Sequence, residues 1–159
     1  MKWKKMDKIF DPRDHHLADN CTEFAKSPQA IVFDDYVRIY FSSQRKTENG
    51  KYLSHPQYVD MDKSFENILN VSTSSIIELG ERGAFDEHGI FPINVLRDND
   101  KLLAYTSGWS RRVSVSIDMS IGLATSVDGG RSFTKYGSGP ILTASLHEPC
   151  LVGDPFVKK

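Results

Sequence analysis

The sequence has few of the features that would assign it to a specialised class of protein. Cys21 and Cys150 are its only cysteines, too few for a disulfide framework, so we expect reduced thiols and a cytoplasmic location. No apolar run approaches the roughly 20 residues that cross a bilayer. The 20 Lys and Arg balance the 21 Asp and Glu, which leaves no net field to attract nucleic acid or a membrane. No histidine has the spacing of a zinc site, so we expect neither a metal nor another cofactor.

The chain does contain a repeated pattern. A proline opens a short β-rich run at three places, 64 and then 63 residues apart: Pro28, Pro92 and Pro155. The downstream segments Val37–Ser43 and Leu102–Gly108 also match, and their tyrosines, Tyr40 and Tyr105, are 65 residues apart. A fixed period of this length predicts one supersecondary unit that is copied along the chain.

Each copy is expected to hold about four antiparallel strands. Those of the first copy are predicted over Pro28–Phe33, Val37–Ser43, Gln57–Met61 and Ile68–Leu79. Those of the second are predicted over Ile90–Leu96, Lys101–Ser107, Ser120–Ser126 and Phe133–Tyr136. No segment has the period of a three-turn amphipathic helix. The predicted fold is therefore all-β, with each copy a four-stranded blade of a β-propeller. A β-sandwich is the alternative, because it is also built from short strands and regular turns.

The predicted organisation is a single partial propeller domain. A loop-rich lead-in covers residues 1–26, the first blade 27–80, the second 81–146, and the start of a third 147–159. A propeller ring must close to hide its strand edges, and it needs about four to eight blades. We therefore expect the remaining blades to come from a missing C-terminal part of a longer protein or from another chain.

The segment Ser126–Phe133 fits the Asp-box pattern, S-x-D-x-G-x-x-F. An aspartate there can accept hydrogen bonds from the N–H groups of its turn, and glycine permits the unusual φ that the turn needs. The motif therefore predicts a folding role and supports the assignment to a blade.

Acidic residues stand just before two of the predicted inner strands. Asp86 precedes the inner strand of the second blade, and Glu148 and Asp154 precede that of the third. In a propeller, we expect segments that lead into inner strands to reach the mouth of the central funnel. Carboxylates that meet there can cleave a glycosidic bond, since one protonates the leaving oxygen while another activates water or attacks. We predict all three as catalytic residues, with ordinary turn formation as the alternative.

Four further residues are predicted to bind substrate: Glu87, His88, Trp109 and Arg111. Glu87 and His88 follow Asp86 in the same segment. The aromatic face of Trp109 can stack on a sugar ring, although a place in the core is an equal alternative. Arg111 can pair with an anionic sugar, or it can bridge two blades.

Several of these segments resemble the five-bladed β-propeller glycosidases, which include arabinanases, β-xylosidases, invertases, levansucrases and mannoside phosphorylases. The segments are Phe85–Pro92, Ala104–Trp109, Ile121–Gly130 and Val152–Val157. The likeness covers residues 27–157. It implies a carbohydrate substrate and three carboxylates around the funnel: a base or nucleophile on the first blade, a pKa modulator on the second and an acid on the third.

The resemblance assigns roles unevenly. It gives Asp86 the modulator role and Glu148 the role of the acid, while Asp154, in Gly-Asp-Pro, is similar to the Arg-Asp-Pro stabiliser of invertase-like members. The first blade departs from the pattern, because Ser27-Pro28 stands where Asp-Pro is expected. Two alternatives to a glycoside hydrolase therefore remain. One is a non-catalytic propeller that binds a sugar or a protein, and the other is a six-bladed, sialidase-like enzyme suggested by the Asp box.

Overall fold

The computed structural model describes residues 3–159, so residues 1 and 2 of the predicted lead-in lie outside the described part. Regular structure consists of eight strands and two 3₁₀ turns, Pro12–Asp14 and Ala18–Asn20. The strands are β1 (Glu23–Val32), β2 (Val37–Lys46), β3 (Tyr52–Met61), β4 (Ile68–Val71), β5 (Gly89–Asp98), β6 (Lys101–Ser110), β7 (Asp118–Ser126) and β8 (Thr134–Lys135). Within residues 3–159, no helix is long and apolar enough to span a membrane.

The strands form two antiparallel meanders. We call β1–β4 the first unit and β5–β8 the second unit; in each of them, consecutive strands are hydrogen-bonded neighbours. A single parallel pairing, between Ser54 in β3 and Gly89 in β5, joins the two units into one large sheet. The predicted all-β class is confirmed, whereas the number of blades in a complete ring stays a prediction.

Several strands have limits other than those predicted. β1 begins at Glu23, inside the predicted lead-in. The second and third strands are longer than predicted, because β2 and β3 stay paired through the polar residues as far as Lys46 and Tyr52. The predicted fourth strand, 68–79, ends at Val71. In the rest of that stretch, Ile76 and Ile77 are buried in the core and Leu79 packs against it, although the backbone forms no strand.

The repeat is visible in the backbone. Ser27 and Asp154, which precede two of the repeated prolines, both have left-handed φ angles, 49° and 52°. Pro28 lies in a register shift between Lys26 and Gln29 of β1, and Pro92 lies in the corresponding shift between Ile90 and Ile93 of β5. The proline pattern therefore marks the same irregularity in successive inner strands.

Successive copies also dock in the same way. The Ser42 hydroxyl of the first unit donates to the Ile90 carbonyl of the second, at 3.1 Å. Ser107, which is 65 residues later, accepts from the Asp154 N–H at 2.7 Å. Side-chain amides on the inner strands make a second set of bonds, between Gln29 and Val95 and between Asn94 and Val157. The segment 152–157 is thus held against the second unit much as the second unit is held against the first.

The main core lies between the two units. Its buried members include Tyr40 and Tyr58 from the first unit and Ile90 and Ile93 from the second, together with Ile31, Ile76, Ile77, Val95, Leu102, Ala104, Ala124 and Phe133. Tyr40 also donates a hydrogen bond of 2.8 Å to the carbonyl of Gly130, in the β7–β8 turn. This contact fixes the outer end of the second unit against the first.

The opposite face of the first unit is covered by the lead-in. Leu17 and Cys21 pack there against Phe41, Val59 and Met61. Burial raises the pKa of the Cys21 thiol to about 12, so the thiol remains protonated and unreactive at neutral pH.

Adjacent glycines in the β7–β8 turn test the importance of the contact between the units. Gly129 and Gly130 have φ angles of 74° and 81°, so alanine at either costs about 1–2 kcal/mol in backbone strain. A Cβ at Gly129 meets nothing within 4 Å, whereas one at Gly130 would overlap the Tyr40 hydroxyl and lie 2.7 Å from Leu102 Cδ1. We expect Gly130→Ala to lower the free energy of unfolding by about 1–3 kcal/mol more than Gly129→Ala, measured in urea. Equal losses would contradict the contact.

The two cysteines should differ in reactivity. Cys21 is buried and Cys150 is exposed. With Ellman's reagent we expect one thiol to react rapidly in the native protein and the second only after unfolding. Cys150→Ser should remove the rapid phase; its persistence in that variant would show that the lead-in does not cover Cys21.

Candidate functional site

The four predicted substrate-binding residues come together where β5 begins and β6 ends. The pairing of Gly89 with Trp109 places His88 beside the indole, with the ring centroids 5.8 Å apart and the planes at 28°. The Arg111 guanidinium carbon lies 5.0 Å from the centre of the Trp109 ring. A Cβ at Gly89 would overlap Trp109 and lie 2.8 Å from the Cβ of Ser54. Glycine is therefore required here for the close approach of the two units.

Backbone contacts fix the orientation of His88. Its Nδ1 accepts from the Arg111 N–H at 3.3 Å, so the neutral ring carries its proton on Nε2. That nitrogen is 3.9 Å from Glu87 Oε1, while Glu87 Oε2 accepts from the Gly83 N–H at 2.8 Å. Partial burial, followed by the charge of Arg111, lowers the pKa of His88. His88 is thus a neutral Nε2–H donor at neutral pH.

Three of the four predicted binding residues border a cavity of about 280 Å³, which we call the interunit cavity. Glu87, His88 and Arg111 line it from the second unit. The first unit contributes four residues of the β2–β3 hairpin: Thr47, Asn49, Lys51 and Leu53. A hydrogen bond from the Arg111 guanidinium to the Tyr52 carbonyl holds the two sides together. The sequence did not predict the residues of the hairpin, because they reach the site only when the units pack.

Asp86 lies in a different environment. Its side chain is 1% exposed, and the Lys135 ammonium is 2.5 Å from its Oδ2. Since neither carboxylate oxygen has a well-aligned hydrogen bond among the described residues, the contact with Lys135 is chiefly an attraction between charges. The Cβ of Asp86 would be 2.6 Å from a Cβ at Gly108, so Asp86 rests against the Gly108 side of β6.

The other two predicted carboxylates are exposed. Asp154 is tied through its backbone to Ser107. Because Ser107 and Gly108 are adjacent in β6, their side chains point to opposite faces, and Asp154 therefore lies on the face opposite Asp86. Glu148 sits in a turn in which its carbonyl accepts from the Ser145 N–H at 2.8 Å. The structure therefore gathers the predicted binding residues but separates Asp86 from Asp154, and the catalytic roles stay predictions.

The Asp-box segment forms a closed turn. Asp128 Oδ1 accepts from the N–H groups of Arg131 and Ser132 at 3.0 and 3.1 Å. Although burial acts to raise it, hydrogen bonds from Ser132 and Ser126 lower the pKa of Asp128 to about 2. Gly129 and Gly130 then present their carbonyls to Arg38 and Tyr40 of the first unit. The turn therefore contributes to the packing of the units.

A second polar cluster was not predicted from the sequence. His55 Nδ1 lies 3.4 Å from Asp19 Oδ2, and the Arg45 Nε donates to His55 Nε2 at 3.4 Å. Burial lowers the pKa of His55. The cluster lies on the face of the first unit that the lead-in covers, away from the core between the units. Nowhere in residues 3–159 do three or more His, Cys, Asp or Glu side chains form a group that could hold a metal ion.

Comparisons with known proteins identify proteins that are similar to this chain in sequence or in fold. No family model matches the chain. The uncharacterized proteins MT1551 and Rv1502 of Mycobacterium tuberculosis are 27% identical over 99% of this chain. The chain covers 51% of each, so it spans about half the length of the curated relatives it matches.

Among solved structures, the chain is similar to Zg3597, a family 117 glycoside hydrolase from Zobellia galactanivorans. The TM-score is 0.60 at 15% identity, over 74% of this chain and 33% of that one. A glycosyl hydrolase from Bacteroides ovatus gives a TM-score of 0.56 at 13% identity, over 74% and 32%. At these identities the likeness shows a shared fold alone.

The buried position of Asp86 predicts a role in stability. Asp86→Asn removes the charge that faces Lys135, and we expect it to lower the free energy of unfolding by about 1–3 kcal/mol. Asp118→Asn is the matched control, since it breaks the Arg112–Asp118 pair, whose side chains are 49% and 39% exposed; its cost should stay below about 1 kcal/mol. Urea unfolding of both variants measures the difference. A loss for Asp86→Asn no larger than the control's would contradict the buried pair.

Proposed function

We propose that this chain is part of a carbohydrate-active, glycoside-hydrolase-like protein that cleaves or transfers a glycosidic bond. The observation that carries the proposal is the cluster of Glu87, His88 and Arg111 on the interunit cavity, with Trp109 packed against His88 and Arg111. The three lining side chains offer a cation and neutral and charged hydrogen-bonding groups, which together suit a sugar.

The fold supports the same proposal. Solved glycoside hydrolases share it over about three quarters of this chain. In the proposed complete protein, the first and second units are two blades of a five-bladed ring and residues 147–159 begin a third. The interunit cavity then lies at the end of the blades where the chain passes into the inner strand β5.

Glu148 and Asp154 are the proposed catalytic carboxylates that substrate can reach, since both are exposed. One would protonate the leaving oxygen, while the other would activate water or attack the sugar. Asp86 would act through its charge from within the second unit. Such a position fits the modulator role better than direct contact with substrate.

A non-catalytic, sugar-binding protein is the second candidate. Two observations favour it: Ser27 occupies the place of an expected first-blade carboxylate, and Asp86 is already paired with Lys135. Both reduce the number of carboxylates that are free for chemistry, while the binding cluster is unaffected.

Substitution of the exposed carboxylates in the intact protein tests the catalytic proposal. Against a panel of nitrophenyl glycosides and oligosaccharides, we expect Glu148→Gln and Asp154→Asn each to lower kcat by at least about 100-fold, because each removes an acid–base or nucleophilic group. Asp100→Asn, an exposed carboxylate in the β5–β6 turn, should leave kcat unchanged.

Undiminished turnover in both variants would remove these residues as catalysts. Binding of a glycan without release of any product would instead establish the non-catalytic candidate.

A further inference from the structure

We propose that the interunit cavity binds an acidic substituent of the sugar, a carboxylate, sulfate or phosphate group, and that Lys51 of the first unit is its main cationic partner. This inference rests on the proposed carbohydrate function and names the class of substrate. It also adds a residue from the β2–β3 hairpin to the predicted binding residues, which come from residues 81–146.

Three donors surround the cavity from two sides. Lys51 comes from the first unit, while Arg111 and His88 come from the second. Arg111 uses part of its guanidinium for the Tyr52 carbonyl, and its remaining N–H groups are available to an acceptor. His88 accepts at Nδ1 from the Arg111 N–H, which leaves the Nε2–H as a donor. Such donors are the groups that bind sulfate, phosphate and carboxylate in proteins.

The charges around the cavity favour an anion. Lys51 and Arg111 carry two permanent positive charges, against the single carboxylate of Glu87. One oxygen of that carboxylate is already engaged by the Gly83 N–H at 2.8 Å. The effect of these cations is seen at His88: after partial burial, Arg111 and then Lys51 act to lower its pKa, although Glu87 opposes them. An anion between Lys51 and Arg111 would relieve the repulsion between like charges.

The size of the cavity limits what it holds. About 280 Å³ is just below the range for small-molecule sites, roughly 300–1,000 Å³. It is therefore suited to one charged sugar residue or to the acidic end of a longer glycan. Trp109 lies under His88 and Arg111, so its fluorescence should report on ligands in this cavity.

Trp109 fluorescence in the intact protein provides the test. Trp3 is the other tryptophan of this chain and is 89% exposed, so the fluorescence change that persists in Trp3→Phe and is lost in Trp109→Phe reports on this cavity. The probes are pairs of acidic and neutral sugars: methyl glucuronide with methyl glucoside, galactose 6-sulfate with galactose, and glucose 6-phosphate with glucose. We expect the acidic member of at least one pair to bind about tenfold more tightly than its neutral partner. A gain of this size is what one charge-assisted hydrogen bond supplies. The preferred pair identifies the acidic group.

The variants assign the preference to Lys51. Lys51→Ala should weaken binding of the preferred acidic sugar by about tenfold and leave the neutral sugar unchanged. Lys63→Ala removes the same charge from an exposed site beyond the other end of β3 and should have no effect. Equal binding of acidic and neutral sugars, or a preference that survives in Lys51→Ala, would overturn the inference. Cleavage of neutral glycosides without acidic preference would leave the proposed function intact, whereas a protein that neither binds nor cleaves any glycoside would overturn both.

Discussion

Tyr40 and Ile90 are completely buried where the first unit meets the second, and the arrangement of the candidate site depends on this apolar contact. Burial of large apolar side chains is the main favourable term in folding, and here most of it occurs between the units. When β5 packs against the first unit, its start is brought beside the start of β3, at the pairing of Ser54 with Gly89. His88 then lies near Lys51, and the interunit cavity forms between them.

The same docking recurs along the chain. Ser42 bonds to Ile90 at the start of β5, and Ser107, which is 65 residues later, bonds to Asp154 in the segment 152–157. The proline period is therefore a period of docking as well as of strand formation. Polar bonds fix the register of each contact, while apolar side chains supply its stability. Because the polar bonds involve only a few residues of each copy, short motifs are enough to reveal the repeat even where the copies differ in sequence.

Much of the strand order could be predicted from the sequence, since alternation and turn residues are local signals. The glycines after Asp128 and the apolar run before Asn94 are examples. The ends of the strands were less predictable where a tertiary contact decides them. For example, β2 and β3 stay paired through polar residues up to Lys46 and Tyr52. The apolar residues Ile76 and Ile77 suggested a longer β4, yet they fill the core from an irregular segment.

The residues of the candidate site divide in the same way: some could be predicted from the local sequence, and others depend on tertiary contacts. His88, Trp109 and Arg111 could each be predicted from residue type, and the pairing of β5 with β6 then brings them together. Lys51 could not, because its position depends on the contact between units. The sequence also could not predict that Asp86 and Asp154 are separated, because the separation depends on the face of β6 against which each residue lies.

We propose that the contact between the two units creates a sugar site. A crystal structure of the intact protein with a bound acidic glycoside tests it most directly. We expect the sugar's acidic group to lie in the interunit cavity, within hydrogen-bonding distance of Lys51 and Arg111. A sugar bound elsewhere while this cavity stays empty, or a second unit that does not pack on the first through Tyr40 and Ile90, would contradict it.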